Sequence, residues 1–134
     1  MPFIYPNKPL NVLCLDGTNM TFVGAQLEFR LRDGRHLRGA DLSTTDGLSA
    51  PKFVKLNLQS TNSFFPAVAH DCGYRDTLEE CIEGGWTHVT LTKQECDNML
   101  YELCQDNFVP EDEAKLIYTA VAEFGQSSFD NDRK

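Results

Sequence analysis

Leu91-Thr92-Lys93-Gln94-Glu95-Cys96-Asp97-Asn98-Met99-Leu100-Tyr101-Glu102-Leu103-Cys104 states a helix start in two independent ways. Thr92 and Glu95 stand at the spacing of a capping box, in which each side chain accepts the other's backbone N–H, and Leu91 and Cys96 are placed to close a hydrophobic staple over it. The helix that follows buries Cys96, Met99, Leu100, Leu103 and Cys104 at the i, i+3, i+4, i+7, i+8 spacing of one face. Upstream, Asn62 or Ser63 caps a helix running through Phe65, Val68, His70, Tyr74 and Leu78, with Pro66 tolerated in its first turn. Glu83-Gly84-Gly85-Trp86 breaks that helix. Downstream, Pro110-Glu111-Asp112 opens a third helix that shows Ala114, Ile117, Ala120, Val121 and Phe124 on one face and stops at Gly125. The polar residues 126–134 lack periodicity and are expected to form a flexible tail.

Ahead of the helices the period changes to two. Ala25 to Leu31 alternates apolar and polar residues, Asp33-Gly34 is a hairpin turn signal, and Arg35 to Arg38 supplies a short return strand. An earlier strand around Val12 to Leu15 stops at Asp16-Gly17. Residues 39–51 read as an ordered loop, rich in side chains that bond their own backbone, and Lys52 to Leu58 can add a strand. The expected fold is α+β: a small N-terminal antiparallel sheet (strands within residues 10–60) followed by three helices (within 62–125), the first two an antiparallel pair, in a single domain over residues 1–125.

At 134 residues with 41% hydrophobic content, one core is the natural expectation. The net charge of −8 repels a phosphate backbone, and the twelve Lys and Arg are scattered, so nucleic acid is not an expected partner. No segment approaches the roughly 18 apolar residues of a membrane helix, and the N-terminus lacks the pattern of a signal peptide. Five cysteines in no paired spacing read as reduced thiols, with a bridge across the two central helices as the alternative for a protein that ends outside a cell.

The chemical signal sits on the two central helices. His70 and Tyr74 lie one turn apart on one face, Asp71 points about a quarter-turn away, and Asp97 stands beside the buried stripe of the next helix. Antiparallel packing lets Asp97 fix one nitrogen of His70 and leave the other as a general base, with Asp71 free to offer oxygen to a hard cation such as calcium. The competing interpretation is a helix-borne histidine that simply locks two helices together, with Tyr74 an interface aromatic. Asp41 and Asp46 are most simply loop formers, and His36 and His88 are read as surface residues.

Two resemblances add to this. His70-Asp71-Cys72-Gly73-Tyr74-Arg75, with Cys96-Asp97-Asn98-Met99-Leu100 and Tyr118 to Gly125, resembles the core of bacterial and fungal secreted phospholipase A2. That resemblance implies that His70 activates a water, Asp71 binds calcium and Asp97 orients His70. Those enzymes place a Gly-rich calcium loop before the catalytic helix, where this chain has strands and the loop from Asp41 to Pro51. The loop can supply Asp46, Thr45 or carbonyls to the cation, or can instead hydrogen-bond His70. Thr45-Asp46-Gly47-Leu48-Ser49-Ala50-Pro51, Ala67 to Tyr74, Thr92 to Asp97 and Ile117 to Gly125, in that order, resemble a family of short bacteriophage and prophage proteins of unassigned function, over about residues 25–125. Together they imply a phage-type, metal-assisted hydrolase of lipid ester or cell-envelope material, made in the host cytoplasm or carried in the virion. The alternatives are a virion or tail structural module that binds protein, or a host-directed inhibitor. Membrane-surface contact is expected only of a lipid hydrolase.

Overall fold

The computed structural model of the chain describes residues 2–4, 11–16, 19–23, 27–41, 43–45 and 62–134, and the proposed strand over Lys52 to Leu58 lies outside them. The architecture is α+β, as expected, but it holds two antiparallel sheets. Strands β1 (Asn11–Asp16), β2 (Asn19–Val23) and β5 (Thr44–Thr45) form a three-stranded sheet in the order β1-β2-β5. Strands β3 (Glu28–Arg30), β4 (His36–Gly39), β6 (Leu78–Ile82) and β7 (Gly85–Val89) form a second, in the order β3-β4-β6-β7. The β3–β4 turn is built as its sequence implies: Gly34 N–H donates to Leu31 O at 3.0 Å, Leu31 N–H donates to Arg35 O at 2.9 Å, and Gly34 takes φ 93°.

Helix α1 (Phe64–Tyr74) ends earlier than its periodicity implies, because the chain leaves it through a Schellman motif. Asp76 adopts φ 61°, its N–H donates to Gly73 O at 3.2 Å, and Thr77 N–H donates to Cys72 O at 2.9 Å. Leu78, taken from sequence as the last helical position, instead starts β6 and is buried there. Glu83 and Gly84, at φ 52° and 80°, then make the two-residue turn of a hairpin, so Glu83-Gly84-Gly85-Trp86 ends a strand rather than a helix. A β-hairpin therefore stands between the two central helices.

Helix α2 (Lys93–Asp106) begins where the capping box places it, with Glu95 N–H on Thr92 Oγ1 at 3.1 Å and Thr92 N–H on Glu95 Oε1 at 3.0 Å. Its stripe of Cys96, Met99, Leu100, Leu103 and Cys104 is buried throughout. Helix α3 (Glu111–Phe124) buries Ala114, Ile117 and Ala120, but Phe124, assigned to the same face, is exposed. Residues Gln126–Asp132, read from sequence as an aperiodic tail, form helix α4. Phe129 packs edge-on against Tyr74, and the Arg133 guanidinium donates to Gly73 O, Tyr74 O and Leu91 O at 2.6–2.8 Å. A cation there satisfies the carbonyls at the C-terminus of α1, which is where the helix dipole favours it.

The main core joins Phe29 and Leu37 of the four-stranded sheet to Val68, Ala69 and Cys72 of α1 and to Met99 and Leu103 of α2. Each buried Phe or Leu of this kind is worth roughly 1.5–3 kcal/mol relative to exposure. A smaller cluster of Leu100, Cys104, Val109, Ala114 and Ile117 glues α2 to α3. The close approach of α1 and α2 depends on Gly73, where a Cβ would stand 2.8 Å from Cys96 Sγ. Asn107 Nδ2, at the end of α2, donates to Asn62 O, just before α1, at 2.8 Å, while Gly73 near the end of α1 lies against Cys96 near the start of α2, the sense of an antiparallel pair. No helix among the described residues is long and apolar enough to cross a membrane.

Candidate functional site

One helical turn separates His70 from Tyr74 on α1, and one separates Lys93 from Asp97 on α2, so each helix presents two polar groups at the same level of the interface. The other three meet on the Asp97 carboxylate. His70 Nε2 lies 2.9 Å from Asp97 Oδ1, Tyr74 OH donates to the same oxygen at 2.6 Å, and Lys93 Nζ donates to Oδ2 at 2.7 Å. Lys93 Nζ also donates to Val121 O of α3 at 3.0 Å. Asp97 is 2% exposed and the His70 side chain 8%.

Burial opposes the charge on Asp97, but the hydrogen bonds from His70, Lys93 and Tyr74 outweigh it and hold the carboxyl below its ordinary range. Burial, then the bond to Asp97, push the Tyr74 hydroxyl upward, so it stays protonated and donates. A carboxylate accepts only, so in the neutral imidazole the shared proton sits on Nε2 and Nδ1 carries the lone pair. Nδ1 has no hydrogen-bond partner among the described residues. The rings of His70 and Tyr74 lie 4.0 Å apart between centroids, and a Cβ at Gly125 would stand 2.8 Å from Tyr74 OH, so the α3–α4 junction closes over the tyrosine.

Of the residues singled out in the sequence, His70, Tyr74 and Asp97 are brought together, and Asp71 is directed elsewhere. Its Oδ2 accepts from Thr45 Oγ1 at 2.6 Å, while Arg75 Nη1 donates to Thr44 Oγ1 at 2.8 Å, so this side of α1 is tied to β5. Asp46, the other expected calcium ligand, lies outside the described residues. Among the described residues no three His, Cys, Asp or Glu side chains come together as a metal shell. Thr45, one of the loop residues expected to help hold a cation, is the residue that meets Asp71.

Burial pushes the thiols of Cys72, Cys96 and Cys104 up to about 12, so they are uncharged at neutral pH and act as small apolar residues. Cys72, Cys81, Cys96 and Cys104 are free thiols. His88 is exposed as expected, but His36 is half-buried, with Nε2 3.2 Å from Glu28 Oε2 and its ring edge-on to Trp86 at 5.1 Å. A surface groove of about 480 Å³ between Pro2, Arg30, Leu31, Arg32, Gln105, Asp106 and Phe108 includes none of the network residues.

Lys93 is the member of the network that sequence reasoning passed over. Its signal was present in the i, i+4 spacing to Asp97, but at a helix start it was counted only as part of the capping segment. No family model, curated protein or solved structure matches the chain.

Proposed function

We propose that the chain is a hydrolase in which His70 is the general base, Asp97 its orienting partner and Tyr74 a second hydrogen-bond donor that fixes Asp97. The observation that carries this reading is the direction of the His70 ring: Nε2 is bonded to a buried carboxylate, and Nδ1 is left with no partner among the described residues. In that arrangement Nδ1 takes a proton from a water as its oxygen attacks an ester carbonyl. The imidazolium so formed is stabilised by Asp97, and the proton passes to the departing alkoxide. Asp97 stays ionised throughout. The resemblance to secreted phospholipases supports a lipid ester as substrate. The resemblance to phage proteins supports cell-envelope material as the target, with the protein in the host cytoplasm or the virion.

A second reading, a non-enzymatic module whose polar network locks three helices for protein binding, is favoured by Lys93. It occupies the other Asp97 oxygen and reaches Val121 O, so α1, α2 and α3 converge on one carboxylate. Hydrolysis of phospholipid vesicles and of a soluble short-chain ester, with and without calcium, separates the two. The hydrolase reading expects turnover that falls about 10²–10⁴-fold in His70→Ala while the protein stays folded. A wild-type protein that turns over neither substrate, and a His70→Ala variant that loses melting temperature alone, would leave the helical lock.

A further inference from the structure

A base as deeply placed as His70 meets a substrate only when something moves. His70 and Asp97 are buried, and Tyr74, whose ring lies against that of His70, is 3% exposed. The aromatic contacts continue outward. Phe129 of α4 lies edge-on to Tyr74, with ring centres 5.2 Å apart, and the chain at Gly125 passes so close to the Tyr74 hydroxyl that only a residue without a Cβ fits. On this side the network is covered by α4.

Among the described helices α4 has the least of its own to hold it. Helices α1, α2 and α3 each bury a run of side chains, whereas no residue of α4 is buried. It is seven residues long, with no side-chain N-cap and no acid in its first turn. An isolated helix is marginal even at about 12–15 residues, so α4 is helical only while docked. The docking contacts lie towards its C-terminal end. Arg133 donates to Gly73 O, Tyr74 O and Leu91 O, its guanidinium lies 4.6 Å from the Phe129 ring centre, and Asp132 Oδ2 stands 3.8 Å from Arg75 Nε. The three acceptors are backbone carbonyls, which accept from water once the guanidinium leaves, so undocking strands no buried charge. Few buried side chains and one cationic anchor are the marks of a segment that opens well below the cost of global unfolding.

We infer that α4 is a lid, latched by Arg133 and hinged at Gly125, whose undocking uncovers Tyr74 and the His70 ring behind it; its use in admitting substrate rests on the hydrolase reading. The α3 end of the hinge stays fixed, because Val121 O accepts from Gly125 N–H at 2.9 Å and from Lys93 Nζ at 3.0 Å. The Phe129 ring leaves with the lid, and Tyr74 keeps its bond to Asp97.

Two measurements on the full chain test this. Hydrogen exchange reads the lid: the Phe129 and Arg133 amides, bonded to Gly125 O and Phe129 O, are expected to be protected at least about tenfold less than Leu100 and Leu103 of α2. Carbethoxylation by diethyl pyrocarbonate, followed by mass spectrometry of the histidine peptides, reads access to the His70 lone pair, with exposed His88 as internal standard. Arg133→Gln, which removes the latch, is expected to speed modification of His70 relative to His88 about fivefold or more. Phe129→Ala, which removes the cover and keeps the guanidinium, is expected to act in the same direction. Unchanged protection of Leu100 in both variants checks that the core is intact. Protection of α4 equal to that of α2, or His70 modification that neither variant accelerates, overturns the lid. Neither measurement depends on turnover: a lid that opens on a chain hydrolysing neither vesicles nor soluble ester upholds the lid and overturns the hydrolase reading alone.

Discussion

His70 and Asp97 meet at 2.9 Å in the interior, where the aspartate is 2% exposed, whereas Arg32 and Asp106 meet at 2.6 Å with the arginine side chain 54% exposed. Both contacts join distant parts of the chain. The outer one is the richer in bonds: the Arg32 guanidinium donates to both Asp106 oxygens and to Gln105, and its backbone N–H donates to Glu102. Bond count alone would rank it first. Water reverses the ranking, because an exposed pair is screened and each partner is resolvated when the other is lost, whereas a buried charge stripped of its partners has no solvent to turn to.

The largest effect is therefore expected inside. Asp97→Ala leaves the Lys93 ammonium, the Tyr74 hydroxyl and His70 Nε2 without their common acceptor, and a loss of about 3–5 kcal/mol in urea denaturation follows from breaking a buried ion pair on one side. A domain of this size then melts roughly 10 °C lower. A loss below about 1 kcal/mol would place Asp97 in water and erase the contrast with Arg32.

The same carboxylate gives the interior cluster an acid limb. Its pKa is held below the ordinary value of 3.8, so the folded state releases this proton more readily than the unfolded chain. The resulting stabilisation is complete above the unfolded value and is lost as pH falls through the folded one. Melting temperature is expected to be insensitive to this group above about pH 5 and to decline below about pH 4. In Asp97→Asn that decline should be shallower by the share of this residue; an unchanged acid limb would assign acid unfolding to other carboxylates.

The two regions also differ in how far the sequence reveals them. Residues 92–104 carry their structure locally: a cap, a staple and a period of 3.6 are each a few residues long. Once α2 and α1 are recognised as amphipathic, their polar positions beside the buried stripe have to meet, which is why His70, Tyr74 and Asp97 could be grouped in advance. The β6–β7 hairpin was hidden for a local reason of the opposite kind. Tyr74 and Leu78 continue a helical spacing, and the residue that stops the helix, Asp76 at φ 61°, is an aspartate where glycine would have announced the turn. Helix α4 was missed because its hold is tertiary, through Phe129 on Tyr74 and Arg133 on the end of α1. The Arg32–Asp106 contact spans 74 positions between a turn and a helix end, and no periodicity links them.

The smallest effect is expected at that outer contact. Arg32→Ala should cost less than about 1 kcal/mol at physiological salt, the usual range for an exposed pair, even though the guanidinium is bidentate. What remains of its contribution should shrink further as added salt shortens the screening length, from about 10 Å at 0.1 M towards 3 Å at 1 M, while the cost of Asp97→Ala should hardly move. Measuring both variants at low and high salt turns the contrast into a difference of slopes. A cost for Arg32→Ala that exceeds 1 kcal/mol and survives high salt would mean that the β3–β4 turn needs this anchor to stay docked on α2. In that case geometry rather than screening would govern the contact, and the turn would belong to the core in the energetic sense despite its exposure.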